Sequence, residues 1–313
     1  MGKIKKTTIE EAIARVDEWK GKTLKCEVVP GGITNPNFKI TVDGKSYILK
    51  IPGAGTEDFI DRDNCRAASL IAMEAGVGPI ATHYFQDTGV EIWEWLEGYR
   101  TLTFGDIYNE KIFTKIGEVA RDFHNSGKTL PMKATLFDQA RQMHDRATQG
   151  GYLPPWYDRI MYLLNKIEEA VLKDGIVFKP CHNDYWSNNF LYNDKTEDFK
   201  LIDYEYATMN DGYADIGSLG GMYFTEDMFK KLSEIYHGEY DEKGFAKIQL
   251  YRIIGDIKWS FWALQQYIFS DVKYDFMNWY GGKVARLQHF WIDPRLDYWL
   301  NLLNGKPVFR QKV

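Results

Sequence analysis

Short alternating apolar runs, punctuated by glycine and asparagine turns, crowd into the first 96 residues, and sustained helical periodicity takes over after Gly98. A chain that lays down strands first and helices afterwards folds as α+β, because the strand runs pair with one another and leave the helices to build their own body. Strands are expected at 24–29, 38–42, 46–51, 80–85 and 90–96, with hairpins about Asp43-Gly44 and Gln86-Asp87-Thr88-Gly89. Alternation in the third run sets Tyr47, Leu49 and Ile51 on one face and Ile48 and Lys50 on the other. Thr8 with Glu11 forms a capping-box pattern that opens a helix through about Lys20, and a second helix is expected over 57–75. Beyond Glu94-Trp95-Leu96-Glu97-Gly98 the helices fall at 110–126, 135–149, 155–173, 213–223, 225–236, 242–269, 276–291 and 294–304. The expected division is a small antiparallel sheet lobe with one helix, residues 1–97, and a larger, mainly helical lobe, residues 98–313.

One polar segment interrupts the helical part. It reads His182-Asn183-Asp184-Tyr185-Trp186-Ser187-Asn188-Asn189 and is followed, after two short apolar runs, by Leu201-Ile202-Asp203. An isolated Asp or Asn in a loop is usually a turn former or a helix cap. Three at this spacing between strand-like runs point to chemistry. Moving the terminal phosphoryl group of ATP requires an acidic group beside the attacking hydroxyl and oxygen ligands that hold Mg²⁺ against the phosphates. Asp184, Asn189 and Asp203 fit those tasks, in the order protein kinases use: a catalytic-loop Asp, an Asn five residues on and a metal-binding Asp on the next hairpin. The flanking words differ. Asp203 is followed by Tyr204-Glu205-Tyr206, no Ala-Pro-Glu element comes after it, and the chain runs straight into Asn210-Asp211 and Asp215-Ile216-Gly217, so the expected acceptor is a small molecule.

His182 to Asn189 and Ile202-Asp203-Tyr204-Glu205-Tyr206, with Asn210 and Asp215-Ile216 behind them, resemble the choline/ethanolamine kinase branch of the aminoglycoside phosphotransferase-like superfamily, and within it the bacterial choline kinases. The resemblance runs from about Gly31 to Trp279 and implies a two-lobed, protein-kinase-like fold with ATP as co-substrate and Mg²⁺ as cofactor. It implies Asp184, Asn189 and Asp203 as catalytic residues, with Asn189 and Asp203 as the metal ligands. His182 reads as a scaffold of the loop. Lys50 resembles the strand lysine that contacts the α and β phosphates, and the turn from Gly31 to Asn37, including Asn35 and Asn37, is placed to approach them through backbone amides. Backbone groups of Glu94 and Leu96 are the implied adenine contacts. The helix acid that usually holds such a lysine is missing at or beside Cys65, and Asp61 is the expected substitute, giving a looser clamp.

Trp259 and Trp262 lie one helical turn apart in a stretch dense in aromatic residues, with Tyr274 and Trp279 following. A helical aromatic stripe is ordinarily core. A quaternary ammonium, however, neither donates nor accepts hydrogen bonds and is best held by ring faces, each worth roughly 0.5–2 kcal/mol. The resemblance therefore implies choline as the acceptor, bound by Trp259, Trp262, Tyr274 and Trp279, with Tyr206 and Glu205 as further acceptor contacts. The products would be phosphocholine and ADP. Ethanolamine and aminoglycosides remain alternatives, as does a nucleotide-binding pseudokinase scaffold.

A net charge of −5 argues against nucleic acid as a partner. No apolar run is long enough to insert in a membrane. Cys26, Cys65 and Cys181 lack metal-ligand spacing and are odd in number, and the charged start shows no signal-peptide core, so a reducing, cytoplasmic location is expected.

Overall fold

The computed structural model describes residues 5–30, 35–53, 56, 60–151, 153, 155–222, 224–270 and 272–306. Helix α1 (Ile9–Ala14) starts at the expected capping box: Thr8 Oγ1 accepts from Glu11 N, and Glu11 Oε2 accepts from Thr8 N. It ends well before Lys20. A 3₁₀ turn at Asp17–Trp19 replaces its last part and delivers Trp19 into the apolar core, 5.3 Å from the Tyr47 ring.

Strands β1 (Leu24–Val29), β2 (Asn37–Val42) and β3 (Lys45–Lys50) form an antiparallel meander. The hairpin between β2 and β3 places Asp43 and Gly44 both at positive φ, which suits the right-handed strand twist and explains the Asp-Gly pair. Helix α2 (Arg62–Glu74) is capped by Asp61, and β4 (Ala81–Phe85) and β5 (Val90–Glu94) complete a five-stranded sheet of order β1-β2-β3-β5-β4. Its core joins Ile40, Leu49, Val90 and Ile92 to Ala12, Val16 and Trp19.

Strand β6 (Tyr99–Thr101) follows, then helices α3 (Glu110–His124), α4 (Leu136–Gln149) and α5 (Tyr157–Asp174) and strand β7 (Phe178–Cys181). Strands β8 (Phe190–Asn193) and β9 (Phe199–Leu201) pair as a hairpin, and β8 also pairs with β6. Strand β10 (Thr208–Asp211) pairs with β7. The remaining helices are α6 (Gly212–Ser218), α7 (Glu226–His237), α8 (Glu242–Phe269), α9 (Phe276–Trp291) and α10 (Arg295–Leu303). Helix α8 is buried along most of its length and packs against α4, α6, α9 and α10. Close approach of α6 requires Gly217, where a Cβ would meet the α8 backbone at 2.8 Å.

These elements form two units, one of Met1–Thr103 with Ser187–Ala207 and the other of Phe104–Trp186 with Thr208–Val313. The expected linear division at residue 97 therefore differs from the structure. Ser187–Ala207 belongs with the sheet unit because β8 hydrogen-bonds to β6 and the segment after β9 supplies partners to β3 and α2. Among the described residues no helix is long and apolar enough to cross a membrane.

Candidate active-site residues

In the sheet unit the geometry centres on Lys50, whose side chain is 12% exposed. Its Nζ lies 2.6 Å from Asp203 Oδ1 and 3.1 Å from Glu205 Oε1. Burial alone would pull the ammonium pKa down, but Asp203, Glu205 and Glu91 outweigh it and hold it well above the ordinary lysine range. Glu205 in turn accepts from Arg62 Nη1 and from Asn35 Nδ2 at 2.8 Å. Burial would raise the Glu205 pKa, yet Lys50 and Arg62 bring it down to about 2, so this carboxylate stays ionised. Asn35 Oδ1 also accepts from Gly53 N at 2.9 Å, and Arg62 Nη2 donates to Thr56 Oγ1. Asn37 stands directly across from Lys50 in the β2–β3 register.

These contacts bear on two expectations. Asp61 does not hold Lys50: its side chain accepts from Asn64 N as the cap of α2, since a residue just ahead of a helix meets unpaired amides first. Glu205, expected as an acceptor contact, is a buried anion held between Lys50 and Arg62. Cys65 supplies no charge in the missing acid's place, because burial and the charges of Glu205 and Glu91 push its thiol pKa well up. Glu91, which the sequence reading overlooked, faces Lys50 across the β3–β5 register and is 4% exposed. Burial lifts its carboxyl to about 7 against the pull of Lys50, Arg66 and Arg62. Strand alternation sets it on the face opposite Val90 and Ile92, shared with Lys50, and only the burial of that face reveals its role.

Asn189 ends a 3₁₀ turn, and its carbonyl accepts from Ile202 N at 2.9 Å, so the β8–β9 hairpin brings Asn189 and Asp203 to the same end. Asp203 sits at φ 71, in the left-handed region that aspartate and asparagine enter more readily than other non-glycine residues. An amide oxygen and a carboxylate are the hard donors Mg²⁺ takes, and Asp203 already presents one oxygen to a cation, Lys50 Nζ. These residues fit the ion. Glu94 N donates to Ile80 O and Leu96 O accepts from Tyr99 N, so those two backbone groups are engaged within the unit. Tyr206 also belongs to this unit, and it is half-buried. Residues 31–34 of the expected turn lie outside the described residues.

In the helical unit the loop after β7 is held from beneath. Asp215, fully buried on α6, accepts from His182 N at 2.8 Å, from Asn183 N at 2.6 Å and from the His124 ring at 2.8 Å. His182 Nδ1 accepts from Asp184 N at 3.2 Å, which is the scaffold role expected of it. Asn183 takes a positive φ of 62 and is fixed on both sides, by Thr208 Oγ1 and by Asn210 Nδ2, each at 2.8 Å. Lys258 Nζ donates to Asn183 O at 2.8 Å. Burial pulls its pKa down to about 7 against Asp184 and Asp215. Lys258 lay unrecognised in the sequence because a lysine inside an aromatic helix carries no motif.

The rings expected to bind the acceptor form one connected group in this unit. Trp259 and Trp262 lie 5.7 Å apart, Trp262 and Trp279 5.9 Å, and Tyr274 and Trp279 6.3 Å. Trp186, two residues beyond Asp184, joins them at 5.6 Å from Trp279. Among the described residues, the buried indole N–H groups of Trp262 and Trp279 have no hydrogen-bond acceptor.

A model of the choline/ethanolamine kinase family matches residues 26–237. The protein LicA of Haemophilus influenzae is 24% identical over 244 residues, spanning 74% of this chain and 71% of that relative. A probable choline kinase 2 of Arabidopsis thaliana is 22% identical over 329 residues, 92% of each chain. The crystal structure of a choline/ethanolamine kinase family protein from Mesorhizobium loti superposes with a TM-score of 0.82 at 25% identity, over 94% of this chain and 97% of that one, and shares the expected α+β, protein-kinase-like fold. With a family match across well over half its length, the chain belongs to the choline/ethanolamine kinase family.

Proposed function

We propose that this kinase transfers the terminal phosphoryl group of ATP to the hydroxyl of choline, giving phosphocholine and ADP. The observation that carries the choice of acceptor is the ring group of Trp186, Trp259, Trp262, Tyr274 and Trp279, packed around the region where Asp184 acts electrostatically on Lys283, a lysine lying over two of those rings. Rings beside a carboxylate suit a molecule with an ammonium at one end and a hydroxyl at the other. In this reading the rings hold the trimethylammonium group, and Asp184 orients the hydroxyl and accepts its proton late in the transfer, because an ordinary carboxylate is too weak a base to ionise an alcohol beforehand. The backbone bonds from Asp215, His182 and Lys258 keep Asp184 in position. Lys50 binds the α and β phosphates. Asn189 and Asp203 would hold Mg²⁺, which supplies neutralisation of charge on the phosphate oxygens. A cytoplasmic location goes with this reading, supported by three free thiols at Cys26, Cys65 and Cys181.

A coupled ADP-release assay over choline, ethanolamine, thiamine and kanamycin tests it. Choline is expected to have the highest kcat/KM, and Asp184→Asn to abolish turnover while ATP binding persists. Preference for ethanolamine would move the assignment within the family, and near-normal turnover in the Asp184 variant would remove the proposed base.

A further inference from the structure

Lys283 on α9 is 5% exposed, yet among the described residues its charge has no carboxylate to itself. The nearest, Asp256 on α8, stands 3.9 Å away and is already gripped by Arg286, whose Nε donates to Asp256 Oδ2 at 2.9 Å and whose Nη2 donates to Asp256 Oδ1. A bidentate arginine matches the carboxylate geometry and leaves the lysine only a distant share of its charge. The Lys283 ammonium instead lies over two indoles, 5.1 Å from the Trp279 ring centre and 5.5 Å from that of Trp186. Both rings belong to the group assigned above to the acceptor.

A ring face offers its negative potential to one cation at a time. We propose that the Lys283 ammonium is a tethered cation that competes with the acceptor's ammonium for Trp186 and Trp279, and so sets how tightly the acceptor is held. The inference rests on the proposed use of these rings for a cationic alcohol. It makes Lys283 a specificity-determining residue: choline must displace it or meet it unprotonated. The charged groups acting on Lys283 are Asp256 from α8, Arg286 from α9 and Asp184 from the catalytic loop. Burial lowers its pKa to about 8, Asp256 and Asp184 act in the opposite sense, and Arg286 reinforces the fall. Below that pH the lysine carries its proton and competes, and above it the neutral amine does not. Choline itself is permanently charged and does not titrate.

The test compares wild type with Lys283→Met, which keeps an aliphatic stem and removes the charge, and Lys283→Arg, which keeps the charge at every accessible pH. Binding of choline and of tetramethylammonium is measured by calorimetry without nucleotide, and KM for choline and for ATP by ADP release, from pH 6.5 to pH 9.5. The Met variant is expected to bind both ammonium probes about three- to tenfold more tightly at pH 7, the range one lost cation–π competitor corresponds to, with KM for ATP unmoved. Wild-type KM for choline is expected to fall as pH rises through about 8. That fall should be absent in both variants. Choline affinity unchanged or weakened in the Met variant, in a wild type that phosphorylates choline, overturns the inference alone. A wild type that neither binds nor phosphorylates choline removes the proposed function and this inference together.

Discussion

Glu205 shows how far one side chain's task depends on its neighbours. Its carboxylate suggested a contact for the acceptor's ammonium, and in the structure it lies between Lys50 and Arg62, with Asn35 on the same oxygen. Removing one partner from a buried ion cluster costs more than the cluster contributes in total, because the remaining charges are left without compensation. Glu205→Gln is therefore expected to lower unfolding stability by about 3–5 kcal/mol at pH 7, measured by urea denaturation. The pH dependence has a definite sign. The folded carboxylate stays charged down to about 2, whereas the unfolded one takes up its proton near 4.5. The unfolded chain thus binds more protons in that window, so the contribution is complete above about 4.5 and is lost as pH falls through about 2. The gap between wild type and variant should narrow over the same range, and equal stabilities at pH 7 would refute the role. Asp184, Asn189 and Asp203 could be singled out by their spacing, and Lys50 by strand alternation together with the family resemblance. Glu91 and Lys283 could not, since nothing local distinguishes a buried charged residue from a solvated one.

At the scale of elements, caps and periodicity carried most of the information. Helices α8 and α9 begin and end where the pattern places them, behind the caps Asp241 and Asp275. Helix α1 stops short because burying Trp19 requires a turn that helical periodicity cannot register. Asp61 gives the sharpest test of what an element's terminus does. If it caps α2 and nothing more, Asp61→Ala should cost about 0.5–2 kcal/mol in thermal or chemical unfolding and leave KM for ATP unchanged. A large rise in KM for ATP with stability intact would return Asp61 to the lysine site. The spacing of Trp259 and Trp262 placed both on one helix, and the ring contacts to Trp279 come from the packing of α9 on α8.

For the whole molecule, the sheet unit is not a continuous stretch of chain. Residues 1–97 lack β8, β9 and the 203–207 segment, and with them the partners of Lys50, Arg62 and Asn64. A fragment of residues 1–97 is expected to remain unfolded or molten by near-ultraviolet circular dichroism and amide dispersion, since it would lose Asp203 and Glu205, the carboxylates that pair with Lys50 and Arg62. A cooperative native-like transition in that fragment would contradict this. What the amino-acid order determined by itself was local: which runs form strands or helices, where caps start them, and which oxygen-bearing residues share a loop, because these follow from interactions within a few residues. Only the tertiary structure decided which charges meet. Lys50 reaches Asp203 across 153 positions and Asn35 reaches Glu205 across 170, and Lys283 lies over two tryptophans beside an Asp256 that Arg286 grips. Such pairings depend on burial and on competition among distant groups, and no short stretch of sequence records either.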